Sequence, residues 1–219
     1  MKVMITGMAR SGTSLVIGLL QICGLYLGKN LKSPKSDNPK GYFEDLEFLA
    51  INREIFRLNN GSGSRPPENI NPLPTELKAR IQQFISKWPK DTPVGWKDPR
   101  VCITARLWNE IIRPEKLKVV VVSRPYSEIA KSLNKRHGMR EAEGLELCEF
   151  YYQKAKSNLM KSEGYEGIEH IYTFYHNYFK NWERELQVVT KFLGLDIIEN
   201  TSKIEKFIDI NLWHNRRSP

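Results

Sequence analysis

The 219-residue sequence holds no apolar run near the roughly 20 residues that a membrane span requires, so a spanning helix is not expected. Cysteine is scarce. Cys23, Cys102 and Cys148 are odd in number and lack metal-ligand spacing, which excludes a disulfide scaffold or a zinc site and points to reduced thiols. The N-terminal MKVMITGMARSG runs into a glycine loop without an uninterrupted apolar stretch, so no secretory leader is expected and the location is read as cytoplasmic. Acidic residues are in deficit, 25 Asp plus Glu against 34 Lys plus Arg, for a formal net charge of +9. That balance favours a polyanionic partner. There is no long basic block and no arginine–aromatic repeat, so specific nucleic-acid recognition is not expected.

What is present reads as one α/β domain over 1–219, with a tail at 211–219. Lys2–Thr6 and Leu117–Val122 are continuous β-branched runs of the kind buried in parallel sheets, and Val94–Lys97 and Ile168–Thr173 are shorter strand candidates. Helical periodicity covers Leu15–Cys23, Glu44–Leu58, Thr75–Trp88, Ile103–Ile112, Tyr126–Lys135, Glu141–Lys161 and Tyr178–Leu193, the last stopped by Gly194. Residues 59–74, NNGSGSRPPENINPLP, read as a long mobile loop. The alternation implies three layers, α/β/α, around a mostly parallel sheet, similar to P-loop nucleotide kinases.

Gly7-Met-Ala-Arg10-Ser11-Gly12-Thr13-Ser14 lies between a strand and a helix. Gly12 lets the backbone approach an anion, to which the helix start presents free N–H groups. The spacing of Gly7 and Gly12 is that of a Walker A loop, yet Thr13 stands where a nucleotide-hydrolysing loop has lysine, and the cation is Arg10 instead. The strongest strand ends in Ser123-Arg124-Pro125, with no acid to hold Mg²⁺. Arg124 and Ser132, eight residues on and about two helical turns along, can converge on a second phosphate.

This pattern resembles the sulfotransferase superfamily that uses 3′-phosphoadenosine 5′-phosphosulfate (PAPS). The likeness rests on GMARSGTSL and SRPYSEIAKSL, is extended by GYFED at 41–45, GWKDPR at 95–100 and VVTKFLGL at 188–195, and is nearest to the tyrosylprotein and bacterial branch. It implies that Arg10, Ser11, Gly12, Thr13 and Ser14 hold the 5′-phosphosulfate, and that Arg124 and Ser132 hold the 3′-phosphate. PAPS is then a co-substrate, no metal is needed, and 3′-phosphoadenosine 5′-phosphate (PAP) is released. The cytosolic arylsulfotransferases use a histidine base, whereas His137, the first histidine here, follows both motifs. The base is therefore expected to be a carboxylate. Glu44 is favoured over Asp98 and Asp45, with Lys97 and Arg10 stabilising the charge that develops in transfer.

The acceptor is expected to be a hydroxyl compound, whether carbohydrate, small alcohol or phenol, lipid headgroup or peptide tyrosine. Two other classes compete. One is a small-molecule or nucleotide kinase with a degenerate Walker loop. The other is a non-catalytic polyanion- or nucleotide-binding module, whose binding would be salt-sensitive and indifferent to Lys97.

Overall fold

A computed structural model describes residues 1–35, 38–113, 115–196 and 201–209. The tail at 211–219, with His214, Arg216 and Arg217, lies outside the described residues. In chain order the elements are β1 (Lys2–Thr6), α1 (Thr13–Ile22), α2 (Leu46–Leu58), α3 (Thr75–Ser86), β2 (Val94–Lys97), α4 (Val101–Ile112), β3 (Leu117–Ser123), α5 (Tyr126–His137), α6 (Glu141–Leu159), β4 (Glu169–Phe174), α7 (Asn177–Lys180), α8 (Trp182–Leu193) and α9 (Thr201–Phe207).

The described strands form one all-parallel sheet in the order β2-β1-β3-β4. Alternate residues of each strand face opposite ways, and both faces are buried. Met4, Val119 and Val121 pack with α2 to α6, whereas Val3, Ile5, Val120 and Val122 pack with α1, α8 and α9. Each such Val or Ile contributes about 1.5–3 kcal/mol of burial, so the two β-branched runs alone commit the chain to three layers. One face adds an aromatic cluster of Phe48, Phe84, Trp96 and Trp108. Within it Asn52 Oδ1 accepts from Thr104 Oγ1 and Trp108 Nε1, both at 3.0 Å, and so joins α2 to α4.

Parallel register decides where function can sit. Ile5 pairs with Lys97, Thr6 with Val121 and Ser123 with Phe174, so all four strands end at one edge. Gly7, Asp98, Arg124 and Tyr175 are thereby gathered, at the carboxyl edge where open α/β sheets bind ligands.

Most periodic segments fold as expected, with ends displaced by a few residues. Three differences matter. Glu44 does not open a helix: Asp45 is the N-cap of α2, its carboxylate accepting the Phe48 N–H at 2.9 Å, and Glu44 precedes it. The single helix expected over Tyr178–Leu193 is two, because Asn181 leaves helical geometry (φ −156°, ψ 78°) and caps α8 by accepting the Arg184 N–H. The short α9 has no counterpart in the sequence reading. The 59–74 segment has no helix or strand and is fastened to α6 through Tyr151 Oη donating to the Gly63 carbonyl at 3.0 Å and a Lys154–Glu68 ion pair at 3.1 Å. All three cysteines are free and buried, and burial pushes their thiols up to about 11 (Cys23, Cys102) and 12 (Cys148), as packing residues rather than nucleophiles. No helix among the described residues is long and apolar enough to cross a membrane.

Candidate functional site

The loop after β1 takes its shape from two glycines. Gly7 has φ +138°, and a Cβ there would lie 2.4 Å from the Val122 carbonyl oxygen, so only glycine lets the loop cross β3 this closely. Gly12 has φ +99°, and its Cβ would meet the Tyr175 ring at 2.0 Å. Gly12 thus sits at the start of α1 with an aromatic face pressed on it. Gly12→Ala is expected to cost about 1–3 kcal/mol in backbone strain alone. For a chain of this size that lowers the thermal midpoint by about 2–12 °C, readable by calorimetry. An unchanged midpoint would contradict this packing. Arg10 has the left-handed φ of +74° and turns its side chain along the cleft.

One cleft runs over this loop, and its lining includes Arg10, Gly12, Thr13, Ser14, Lys40, Glu44, Lys97, Arg124, Ser132 and Arg136. Of the loop residues implied by the resemblance, Ser11 is the exception: it is fully buried beneath the cleft, its N–H bonded to the Met8 carbonyl at 3.0 Å. The other predicted residues are brought together. Arg10 Nε donates to Ser132 Oγ at 2.9 Å, and Arg124 Nη1 donates to the Arg10 carbonyl at 3.3 Å. The loop after β1, the end of β3 and the second turn of α5 are therefore one hydrogen-bonded unit. The Arg124 guanidinium lies 4.6 Å from the Tyr175 ring centroid and is held from behind by Glu128.

Glu44 and Lys97, which also line the cleft, belong to an ion cluster. Glu44 Oε1 is 2.9 Å from Lys97 Nζ and its Oε2 is 3.1 Å from Lys32 Nζ. Lys97 Nζ also donates to Ser14 Oγ at 3.3 Å, which accepts from Asn38 Nδ2 at 3.1 Å as well. Burial pushes the Glu44 carboxyl up, but Lys97 and Lys32 outweigh it and hold Glu44 below the usual carboxylate value. Burial lowers Lys97 from the ordinary lysine value, with Glu44 pulling the other way. The arrangement keeps an ionised carboxylate between two ammoniums at the mouth of the anion loop.

The two rival carboxylates are placed elsewhere. Asp45 is committed to capping α2. Asp98 follows β2, the neighbour of β1, where an acid could hold Mg²⁺ on a nucleotide. Its side chain is fully buried and turned onto Arg100, taking the backbone N–H at 2.9 Å and Nη1 at 3.0 Å. That is a turn role just before α4.

Several site residues escape a sequence reading. Lys32, Asn38, Lys40, Arg136, Tyr175 and His176 carry no motif and arrive only through tertiary folding. Glu128 lies in the first turn of α5, four residues after Arg124, which precedes that helix. His176 Nε2 lies 3.0 Å from Glu128 Oε1, so this histidine belongs to the site's frame rather than to plain surface or core.

A second, wider cleft adjoins the first, sharing Ala9 and Pro99 with it. It lies between the 59–74 segment and helices α5 and α6. An apolar floor of Met8, Leu133, Leu147 and Phe150 is bordered by Arg65, Arg100 and His137 on one hand and Glu68, Glu143 and Glu146 on the other. The first cleft is strongly cationic, whereas this one balances its charges.

No family model matches this sequence, and no curated protein matches it. Among solved structures, the chain is similar to the sulfotransferase domain from the Synechococcus PCC 7002 olefin synthase, with 13% identity and a TM-score of 0.52 over 100% of this chain and 80% of that one. A sulfotransferase domain from the curacin biosynthetic pathway aligns over 89% of this chain and 74% of that one, at 16% identity and a TM-score of 0.48. The first of these likenesses shows the fold: this chain adopts the α/β architecture of a sulfotransferase domain.

Proposed function

We propose that the chain is a sulfotransferase that moves the sulfuryl group of PAPS to a hydroxyl acceptor and releases PAP. The observation that carries this is the joining of two anion-binding elements in one cleft, Arg10 to Ser132 and Arg124 to the Arg10 carbonyl, next to an ionised carboxylate–lysine pair. A donor with a phosphosulfate at one end and a ribose phosphate at the other suits such a pairing of elements. Arg124 and Ser132 take the 3′-phosphate. The loop from Arg10 to Ser14 takes the 5′-phosphosulfate, and the cleft's aromatic residues Tyr42, Phe179 and Phe207 offer faces to the base.

The chemistry follows from the cluster. The acceptor enters by the second cleft and meets the donor near Ala9 and Pro99. Its oxygen attacks sulfur as Glu44 takes the hydroxyl proton, and the bond from sulfur to the phosphate oxygen breaks in line. Lys97 balances the negative charge on the sulfuryl oxygens. Arg10 and the N–H groups at the start of α1 balance the charge arriving on the leaving phosphate. Once Lys97 turns to the donor, Glu44 keeps Lys32 alone and becomes the stronger base. The kinase reading is the weaker one, because Asp98 is engaged with Arg100 and does not line the cleft.

Thermal unfolding with PAP, adenosine 5′-phosphosulfate and ATP–Mg²⁺ in parallel tests the reading. Ligand at 100 times its Kd stabilises by about 2.7 kcal/mol, a rise of roughly 5–10 °C for this size. The expected result is a PAP-selective rise that persists in EDTA and is lost in Arg124→Ala. A rise with ATP–Mg²⁺ alone would overturn the proposal in favour of a kinase.

A further inference from the structure

We infer that α9 is a working part of the donor site: Phe207 seats it in a notch that glycine at position 18 leaves in α1, and this seating sets the affinity for the donor. The inference rests on the reading of the first cleft as the PAPS site. Gly18 lies inside α1 without a left-handed φ, so no turn calls for glycine there. Glycine weakens a helix interior relative to alanine, and its reason at this position is close packing. A Cβ on Gly18 would lie 2.3 Å from Cζ and 2.7 Å from Cε1 of Phe207, and 3.2 Å from Cζ of Phe43.

Phe207 is held from two further directions. Its ring meets that of Phe43 edge-on, with centroids 6.0 Å apart and planes at 64°. Its carbonyl accepts from Lys40 Nζ, and the same ammonium lies 5.1 Å from the ring centroid. Ile204, one turn earlier, is fully buried in the core that α1 and α8 share. The helix fixed by these contacts has seven residues, too few to keep its shape without packing. The partners of Phe207 are themselves tied to the site. The anion loop leads into α1, and Lys40 and Phe43 belong to the segment that delivers Glu44. Lys40, Phe207 and Asp209 line the first cleft, whereas Gly18 does not. Unseating Phe207 therefore removes part of the cleft lining while leaving the anion loop, Lys97 and the sheet in place. A donor that requires α9 seated loses affinity in proportion to the fraction of molecules in which it is not, and bound donor in turn holds α9 down.

The test is a double-mutant cycle on the Kd of PAP, read by titration calorimetry, with Gly18→Ala, Phe207→Ala and the double variant. Each single variant is expected to bind PAP about tenfold more weakly, as when α9 is seated in about a tenth of the molecules. Gly18 does not line the cleft, so its effect must pass through the Phe207 ring. In the double variant the added methyl meets no ring, and the Kd is expected within about twofold of Phe207→Ala alone. In parallel, hydrogen exchange over Thr201–Phe207 is expected to slow when PAP is added to the wild type and to stay fast in Phe207→Ala. A merely structural α9 would exchange at one rate with and without PAP. If Gly18→Ala does not fold, Phe207→Ala, which only removes atoms, decides by its Kd and its exchange. Single variants that bind PAP like the wild type, effects that add, or exchange indifferent to PAP would each overturn the inference and leave the donor-site reading standing. Failure of the wild type to bind PAP would overturn both.

Discussion

Replacing Lys97 by alanine is expected to lower kcat by about 10²–10³ while leaving the Kd of PAP within about threefold of the wild type. The split follows from what Lys97 faces. Its ammonium is buried and bridges Glu44 and Ser14, whereas Ser132 and Arg124 bond to the Arg10 side chain and carbonyl. PAP lacks the transferred sulfuryl group, so a residue that acts on that group is silent in PAP binding and visible in turnover. The fold is expected to survive, because Lys32 continues to pair with Glu44 and no carboxylate is left without a cation. Lys97→Met, which fills the same channel without charge, separates the lost ammonium from the lost volume. A folded Lys97→Met protein with wild-type kcat would remove Lys97 from the chemistry. A loss of PAP binding as large as the loss of kcat would make it a donor-binding residue instead.

How much of this was legible in the chain depends on whether a feature is local. KVMIT and LKVVVV declare buried parallel strands because both faces must be apolar, and the sheet uses both runs so. GMARSGTS and SRPYSEIAKS are contiguous, and their placement in one cleft follows from two adjacent parallel strands ending at one edge. The sequence reading falters where a side chain competes with periodicity. Asn181 splits one expected helix by capping the next turn, and Asp45 rather than Glu44 takes the cap of α2. It also misses what only tertiary packing assembles. Lys32 and Asn38 come from an irregular segment with no period, and Tyr175 and His176 follow the last described strand without a motif. The need for glycine at position 12 was legible as backbone freedom, but the Tyr175 ring that enforces it was not.

Glu44→Gln is expected to lower kcat by about 10²–10⁴, because the amide keeps the shape and a hydrogen-bond acceptor but cannot take the acceptor's proton. Retention of more than a tenth of wild-type kcat would place the base elsewhere. The pH profiles sharpen the test. Catalysis needs the carboxylate, so activity falls as pH falls through the Glu44 pKa, which Lys97 and Lys32 hold below the usual glutamate value in the free protein. The acidic limb of kcat/KM, which reports the free protein, should therefore lie below the ordinary carboxylate range. The acidic limb of kcat should lie higher, since Lys97 then serves the sulfuryl group and Glu44 has lost one of its two cations. Stability carries the same sign. A pKa lowered on folding contributes stability above the unfolded glutamate value, and that contribution is lost as pH falls through the folded one. The stability gap between the wild type and Glu44→Gln should accordingly narrow on acidification, as measured by denaturant titration. A gap that stays constant with pH would mean that the Lys32–Glu44–Lys97 cluster does not hold the charge on which the proposed proton transfer depends.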